Sequence, residues 1–223
     1  HKKNYDLKKL KKSFENSLKL FKRDSINALF LHNPRMEITD YTEVLNFMRE
    51  LKDKGKINQI GLSKAKNFNY ENFVDLEEFD VIQDDINLLS LQALQKPKPK
   101  GVTLMARSPL ATGLLSGRIT EKTIFPDEDH RSKWLYGKRL ESLVHRINEI
   151  RKHSDLELSE LAIRFLDDQS SIDKIIFGVK RKEHVKNILE QVNKNPLKST
   201  ISKKLFELFE ADFGLKDEIE YSY

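Results

Sequence analysis

The 223-residue sequence contains no cysteine, which removes disulfides and thiolate chemistry together. That absence fits a reducing compartment, and a cytoplasmic location is the expectation. No apolar run approaches the roughly 20 residues that span a bilayer, and the opening His1-Lys2-Lys3-Asn4 carries no hydrophobic signal core. No membrane partner is therefore expected. A glycine-rich phosphate fingerprint is missing too, which weighs against a Rossmann dehydrogenase or a P-loop enzyme. The acidic run Asp127-Glu128-Asp129-His130 resembles a metal-ligand set by composition only. Adjacent side chains diverge, so a solvated loop is the reading and no metal is expected.

What is present describes a folded, highly charged chain. Hydrophobic residues make up 38% and charged residues 34%, with 13 phenylalanines, and the length suits a single domain. The net charge of +5 raises the question of a nucleic-acid partner, but the bases are interleaved with 35 acids. The densest cluster, residues 2–12, lies on a helical pattern whose apolar positions face the other way. It reads as a solvated helix face, with no nucleic-acid partner.

Periodicity predicts alternating helices and strands. Leu7, Leu10, Phe14, Leu18 and Phe21 form a helical stripe, followed by a buried-strand run at 26–31 (INALFL). A helix over 41–54, stopped by Gly55, leads to a strand at 57–63, and a short helix near 70–76 precedes a strand at 80–87. The KPKPK segment at 96–100 reads as a loop, and a strand follows at 101–106. Helical stripes at 140–150 and 161–165, a strand at 172–178 and a helix at 183–192 complete the pattern. Strands separated by helices imply parallel pairing and an α/β architecture. Five strands cannot close a barrel that takes about eight strands and 250 residues, so periodicity leaves open an incomplete barrel or an open doubly wound sheet.

Ligands in parallel α/β folds sit at the carboxyl ends of strands. Five positions there are polar or small directly after an apolar run: His32, Ser63, Gln83, Arg107-Ser108 and Gly178. Taken singly, each has a plainer meaning, since SPLATG is a turn and Lys180-Arg181 an exposed helix start. Taken in order, they resemble the aldo-keto reductases, in the branches related to aryl-alcohol dehydrogenases and potassium-channel beta subunits. SFENSLKLFKRDSINALFLHNP is similar to that family's helix and fourth strand, IGLS to the fifth, VIQDDINLL to the sixth, ARSPLATGLLSGR to the seventh with its cofactor loop, and IIFGVKRKEHVKNI to the eighth.

The resemblance implies a (β/α)8 TIM barrel of aldo-keto reductase type whose first strands are absent from this chain, and a single N-terminally incomplete domain over 1–223. It implies NADP as cofactor and a small-molecule carbonyl as substrate. His32 takes the catalytic histidine's place. Ser63 and Gln83 would hydrogen-bond the nicotinamide carboxamide, with Lys64 beside them. Ser108, Pro109, Leu110 and Ala111 would line the pyrophosphate, with Arg118 closing over it. Arg107 stands where the family has a stacking aromatic, and a planar guanidinium also stacks. Gly178 would let the last strand approach the cofactor, Lys180 and Arg181 would hold the adenosine 2′-phosphate, and His184 and Asn187 occupy the adenine-reading positions.

The same resemblance sets a limit on activity. The family's Asp, Tyr and Lys belong upstream of the histidine strand, and Tyr5 and Asp6 lie on the leading helix. A hydride acceptor needs a proton donor for the developing alkoxide. The chain by itself is therefore expected to be inactive, as part of an NADPH-dependent reductase of aldehydes or ketones. The alternatives are a non-catalytic nucleotide-binding subunit of the same fold and an open α/β binding domain.

Overall fold

The leading helix shows how short-range chemistry sets the elements. In the computed structural model, the Asp6 carboxylate accepts the Lys9 N–H at 2.9 Å and caps α1 (Leu7–Phe21), whose last turn closes through left-handed Lys22 at φ 52°. The structure describes residues 6–34, 41–64, 78–95 and 97–215. These fall into two compact units, 1–83 with 99–103, and 84–98 with 104–223.

In the first unit, Phe14 of α1 is buried and meets Phe47 of α2 (Thr42–Asp53) edge-on, with centroids 6.3 Å apart. The predicted stripe is shorter than expected, because Phe21 is 64% exposed. Strands β1 (Ile26–His32), β2 (Ile57–Ser63) and β3 (Val81–Asp85) follow. β1 pairs parallel with β2, the two joined through α2, and β2 pairs parallel with the first three residues of β3. Gly61 faces Phe30 across the β1–β2 pair, and a Cβ at Gly61 would lie 2.4 Å from the Phe30 ring. Glycine is required there by close approach. Lys52 bonds both Asp80 oxygens, and Asp80 Oδ2 accepts the Ile60 N–H at 2.8 Å, which ties α2, β2 and the start of β3 together. The helix expected near 70–76 lies outside the described residues.

In the second unit, β4 (Thr103–Arg107) pairs parallel with β5 (Lys174–Ile176). β4 begins two residues later than the pattern implied, because Gly101 at φ 81° turns the chain. β5 is shorter than 172–178, and at its start the Asp173 carboxylate takes the Leu104 N–H at 2.7 Å. The strand expected over 80–87 stops at Asp85, because Asn87 Oδ1 accepts the Leu89 N–H and turns the chain into a tight bridge with Ser90.

Much of the apolar core of this unit comes from α3 (Gly137–Arg151) and α4 (Leu158–Asp167). Leu143, Ile147, Ile150, Leu161, Phe165 and Leu166 are all at most 1% exposed. Each such side chain contributes about 2 kcal/mol by burial. α5 (Lys182–Val192) buries no residue, and α6 (Ser199–Glu210) packs Phe206 on Phe165 at 5.4 Å. α6 was not among the expected elements. Among the described residues, no helix is long and apolar enough to cross a membrane.

Candidate functional site

Parallel register aligns the strand ends of the first unit. His32 pairs with Ser63, and Ser63 with Gln83, so three of the expected site residues stand in one row. The row is tied by side chains as well, since His32 Nδ1 lies 3.0 Å from Ser63 Oγ. Ser63 has no exposed surface, whereas His32 is exposed and Gln83 half-buried. Just past the row, the ladder continues: Asn33 N–H donates to Ser63 O and Lys64 N–H to Gln83 O. Asn33 then takes φ 47° and turns the chain away from β1 toward buried Pro34.

A second row lies in the other unit. Arg107 at the end of β4 pairs with Ile176 at the end of β5, so the segments after both strands leave the same sheet end side by side. The guanidinium of Arg107 donates to Asp85 Oδ2 at 3.0 Å, and both side chains are mostly buried. Asn87 Nδ2 donates to Ser108 O at 3.2 Å. Asp85 and Asn87 thus shape this strand end, although the sequence argument singled out only Gln83 in that block. The signal was an arginine ending one strand and an aspartate ending another.

The loop after β4 has unusual backbone. Ser108, Ala111 and Thr112 take φ 54°, 49° and 55°, followed by Gly113 at 93° and Gly117 at 82°. The turns close on themselves, with the Ala111 N–H donating to Ser108 O and the Gly113 and Leu115 N–H groups to Leu110 O. Pro109 and Ala111 are buried, Ser108 and Leu110 half-buried, and Arg118 exposed.

After β5, Gly178, Lys180, Arg181, His184 and Asn187 are all exposed. A Cβ at Gly178 would meet nothing within 4 Å, so no contact in this chain demands glycine. Lys180, Arg181 and Lys182 crowd the start of α5. Cations there face the positive end of the helix dipole, an arrangement that favours an anion nearby.

The 127–130 segment divides. Asp127 and Glu128 are exposed, as a solvated loop requires, but Asp129 is half-buried against Arg131. Side-chain and main-chain hydrogen bonds from Arg131 hold the Asp129 carboxyl far below the usual carboxylate range. The expectation of a solvated loop is corrected at Asp129. Among the described residues, no group of three or more His, Asp or Glu side chains could hold a metal ion.

Comparison with known proteins bears on both rows. Residues 1–208 match the profile of the Aldo/keto reductase family. The chain is 28% identical over 179 residues to the aldo-keto reductase YhdN of Bacillus subtilis (strain 168), covering 75% of this chain and 53% of that protein. It is 23% identical over 164 residues to the NADH-specific methylglyoxal reductase of Escherichia coli (strain K12), covering 70% and 50%. It thus spans about half the length of these curated relatives. Among solved structures, the glycerol dehydrogenase AKR11B4 from Gluconobacter oxydans superposes with a TM-score of 0.77 at 20% identity, covering 99% of this chain and 69% of that one. That likeness shows the fold, α/β with a parallel sheet of the TIM-barrel type.

Proposed function

Because the chain belongs to the aldo/keto reductase family, we propose that it supplies the histidine and much of the cofactor cleft of an NADPH-dependent oxidoreductase that reduces an aldehyde or ketone. The observation that carries this reading is the pairing of Arg107 with Ile176, so that the left-handed loop at 108–117 and the segment leading to the cationic start of α5 leave the same sheet end. The cationic start of α5 suits a phosphate group by side-chain charge, and the loop would line the pyrophosphate.

When bound, the nicotinamide cofactor supplies the hydride. In the first unit, His32 presents an exposed imidazole at the strand end, with Nδ1 3.0 Å from Ser63 Oγ, and this ring would meet the substrate oxygen. Gln83, next in the row, offers amide donor and acceptor groups for a carboxamide. In the second unit, Ser108, Pro109, Leu110 and Ala111 would line the pyrophosphate, with Arg107 beside them and Arg118 above. Lys180 and Arg181 would hold the 2′-phosphate, and His184 and Asn187 the adenine. The relatives' names point both ways on cofactor choice, since one is an NADH-specific reductase and another, yakc of Schizosaccharomyces pombe, is an NADP(+) enzyme. The two adjacent cations favour NADPH.

The test is a titration with NADPH and with NADH, read by cofactor fluorescence and calorimetry. NADPH is expected to bind more tightly, and the Lys180→Ala, Arg181→Ala double variant to lose about tenfold in NADPH affinity with little change for NADH. Binding of neither cofactor at millimolar concentration overturns the reading. The motifs assign no proton donor besides His32, so the 223 residues alone are expected to bind cofactor without consuming it when small aldehydes are added.

A further inference from the structure

The strained loop after β4 is held from outside. Arg131 Nη1 donates to Thr112 O at 3.2 Å, at the centre of the left-handed stretch. Farther along, Arg151 Nη2 donates to Gly117 O at 3.0 Å. Non-glycine residues stay in left-handed conformations only where their surroundings over-determine them. Arg131 is itself fixed on three sides. Its Nε and Nη2 grip the Asp129 carboxylate, with Nη2 at 2.6 Å from Oδ2. Its main-chain N–H donates to the same carboxylate, and its guanidinium lies 4.5 Å from the Phe125 ring centroid. Gly113 makes room for it, since a Cβ there would stand 3.0 Å from Nη1.

We propose that Arg131 is a positioning residue for the cofactor: oriented by Asp129 and Phe125, it locks residues 111–113 in the left-handed conformation that sets the course of the loop lining the pyrophosphate. The inference rests on the cofactor reading of the 108–117 loop. Its content is separate, because Arg131 acts through the loop and spends its fork on Asp129 and Thr112. A lysine cannot reproduce this, because one ammonium cannot grip a carboxylate with two parallel bonds and reach a carbonyl in the same plane.

The test uses the full chain, its Arg131→Ala and Arg131→Lys variants, and two probes. NADPH carries the pyrophosphate bridge, whereas adenosine 2′,5′-bisphosphate carries the adenosine end without it. Arg131→Ala is expected to weaken NADPH about tenfold while changing adenosine 2′,5′-bisphosphate less than about twofold, and Arg131→Lys to behave like Arg131→Ala. Amide exchange supplies a readout that needs no ligand. The Gly113 and Leu115 amides, both bonded to Leu110 O, are expected to exchange faster in both variants, with α4 unchanged.

Unchanged exchange overturns the lock, and faster exchange with undiminished NADPH affinity overturns its role in binding. Recovery by lysine overturns it in favour of simple charge. If the wild-type chain binds neither probe, the cofactor reading falls and this inference with it, whereas the exchange data still report the lock. Should Arg131→Ala fail to fold, Arg131→Gln, which keeps a donor without the fork, carries the same comparison.

Discussion

His32 and Ser63 are cross-strand partners, and Nδ1 of the imidazole lies 3.0 Å from Oγ of the hydroxyl. A ring nitrogen engaged on one side defines what the other nitrogen offers. Ser63 is fully buried beneath the exposed imidazole.

Replacing Ser63 by Ala removes this cross-strand contact, and the nitrogen chemical shifts of His32 are expected to move while the amide spectrum of β1 and β2 stays in place. Identical shifts in the variant would show that Ser63 does not orient the imidazole.

Arg107 and Asp85 form a mostly buried ion pair whose members cannot be removed independently at equal cost. Asp85→Asn takes the negative charge out of a mostly buried ion pair and is expected to lower stability by about 2 kcal/mol in denaturant titration. Arg107→Phe restores an aromatic plate at the strand end. It should keep NADPH affinity within about threefold, whereas Arg107→Ala should lose more. Equal losses in both variants would remove the stacking role.

Gly61→Ala tests the closest approach in the first unit. The added methyl meets the Phe30 ring, so overpacking should cost about 1–3 kcal/mol in urea unfolding. Adding Phe30→Leu should recover part of that loss, because the two sites share one space. A double variant no better than the single one would place the cost elsewhere.

Glu160 gives the fold a pH dependence. Burial pushes its carboxyl upward, but hydrogen bonds from Lys194 and Arg164 outweigh that and leave it below its ordinary value. A carboxyl lowered in the folded state stabilises above its unfolded pKa, about 4.3, and the contribution fades as pH falls through the lower folded value. Glu160→Gln should thus lose about 1–3 kcal/mol at neutral pH, and the gap from wild type should close in acid. A constant gap down to the acid transition would assign the loss to packing.

Much of the fold was readable in one dimension. Stripes at three and four residues place α1, α3 and α4, and short apolar runs between them place β1, β2 and β4, because burial of one helix face or of a whole strand leaves a periodic trace. α6 was missed although Ile201, Leu205 and Phe209 repeat at helical spacing. Strand ends shifted too, with side chains accepting main-chain N–H groups there, Asp173 at the start of β5 and Asn87 after β3.

The residue types that carry the candidate site, His32, Ser63, Gln83, Arg107 and the loop at 108–111, stand at strand ends visible in the sequence, because an apolar run that stops at a polar residue marks the sheet edge. Which of them touch was decided only in three dimensions. Register sets His32 on Ser63 and Arg107 beside Ile176, and side-chain reach brings Asp85 to Arg107 and Arg131 to Thr112. The 131-to-112 contact crosses 19 residues with no periodic signature. Contacts of that kind depend on how the chain closes on itself, and no local pattern encodes them.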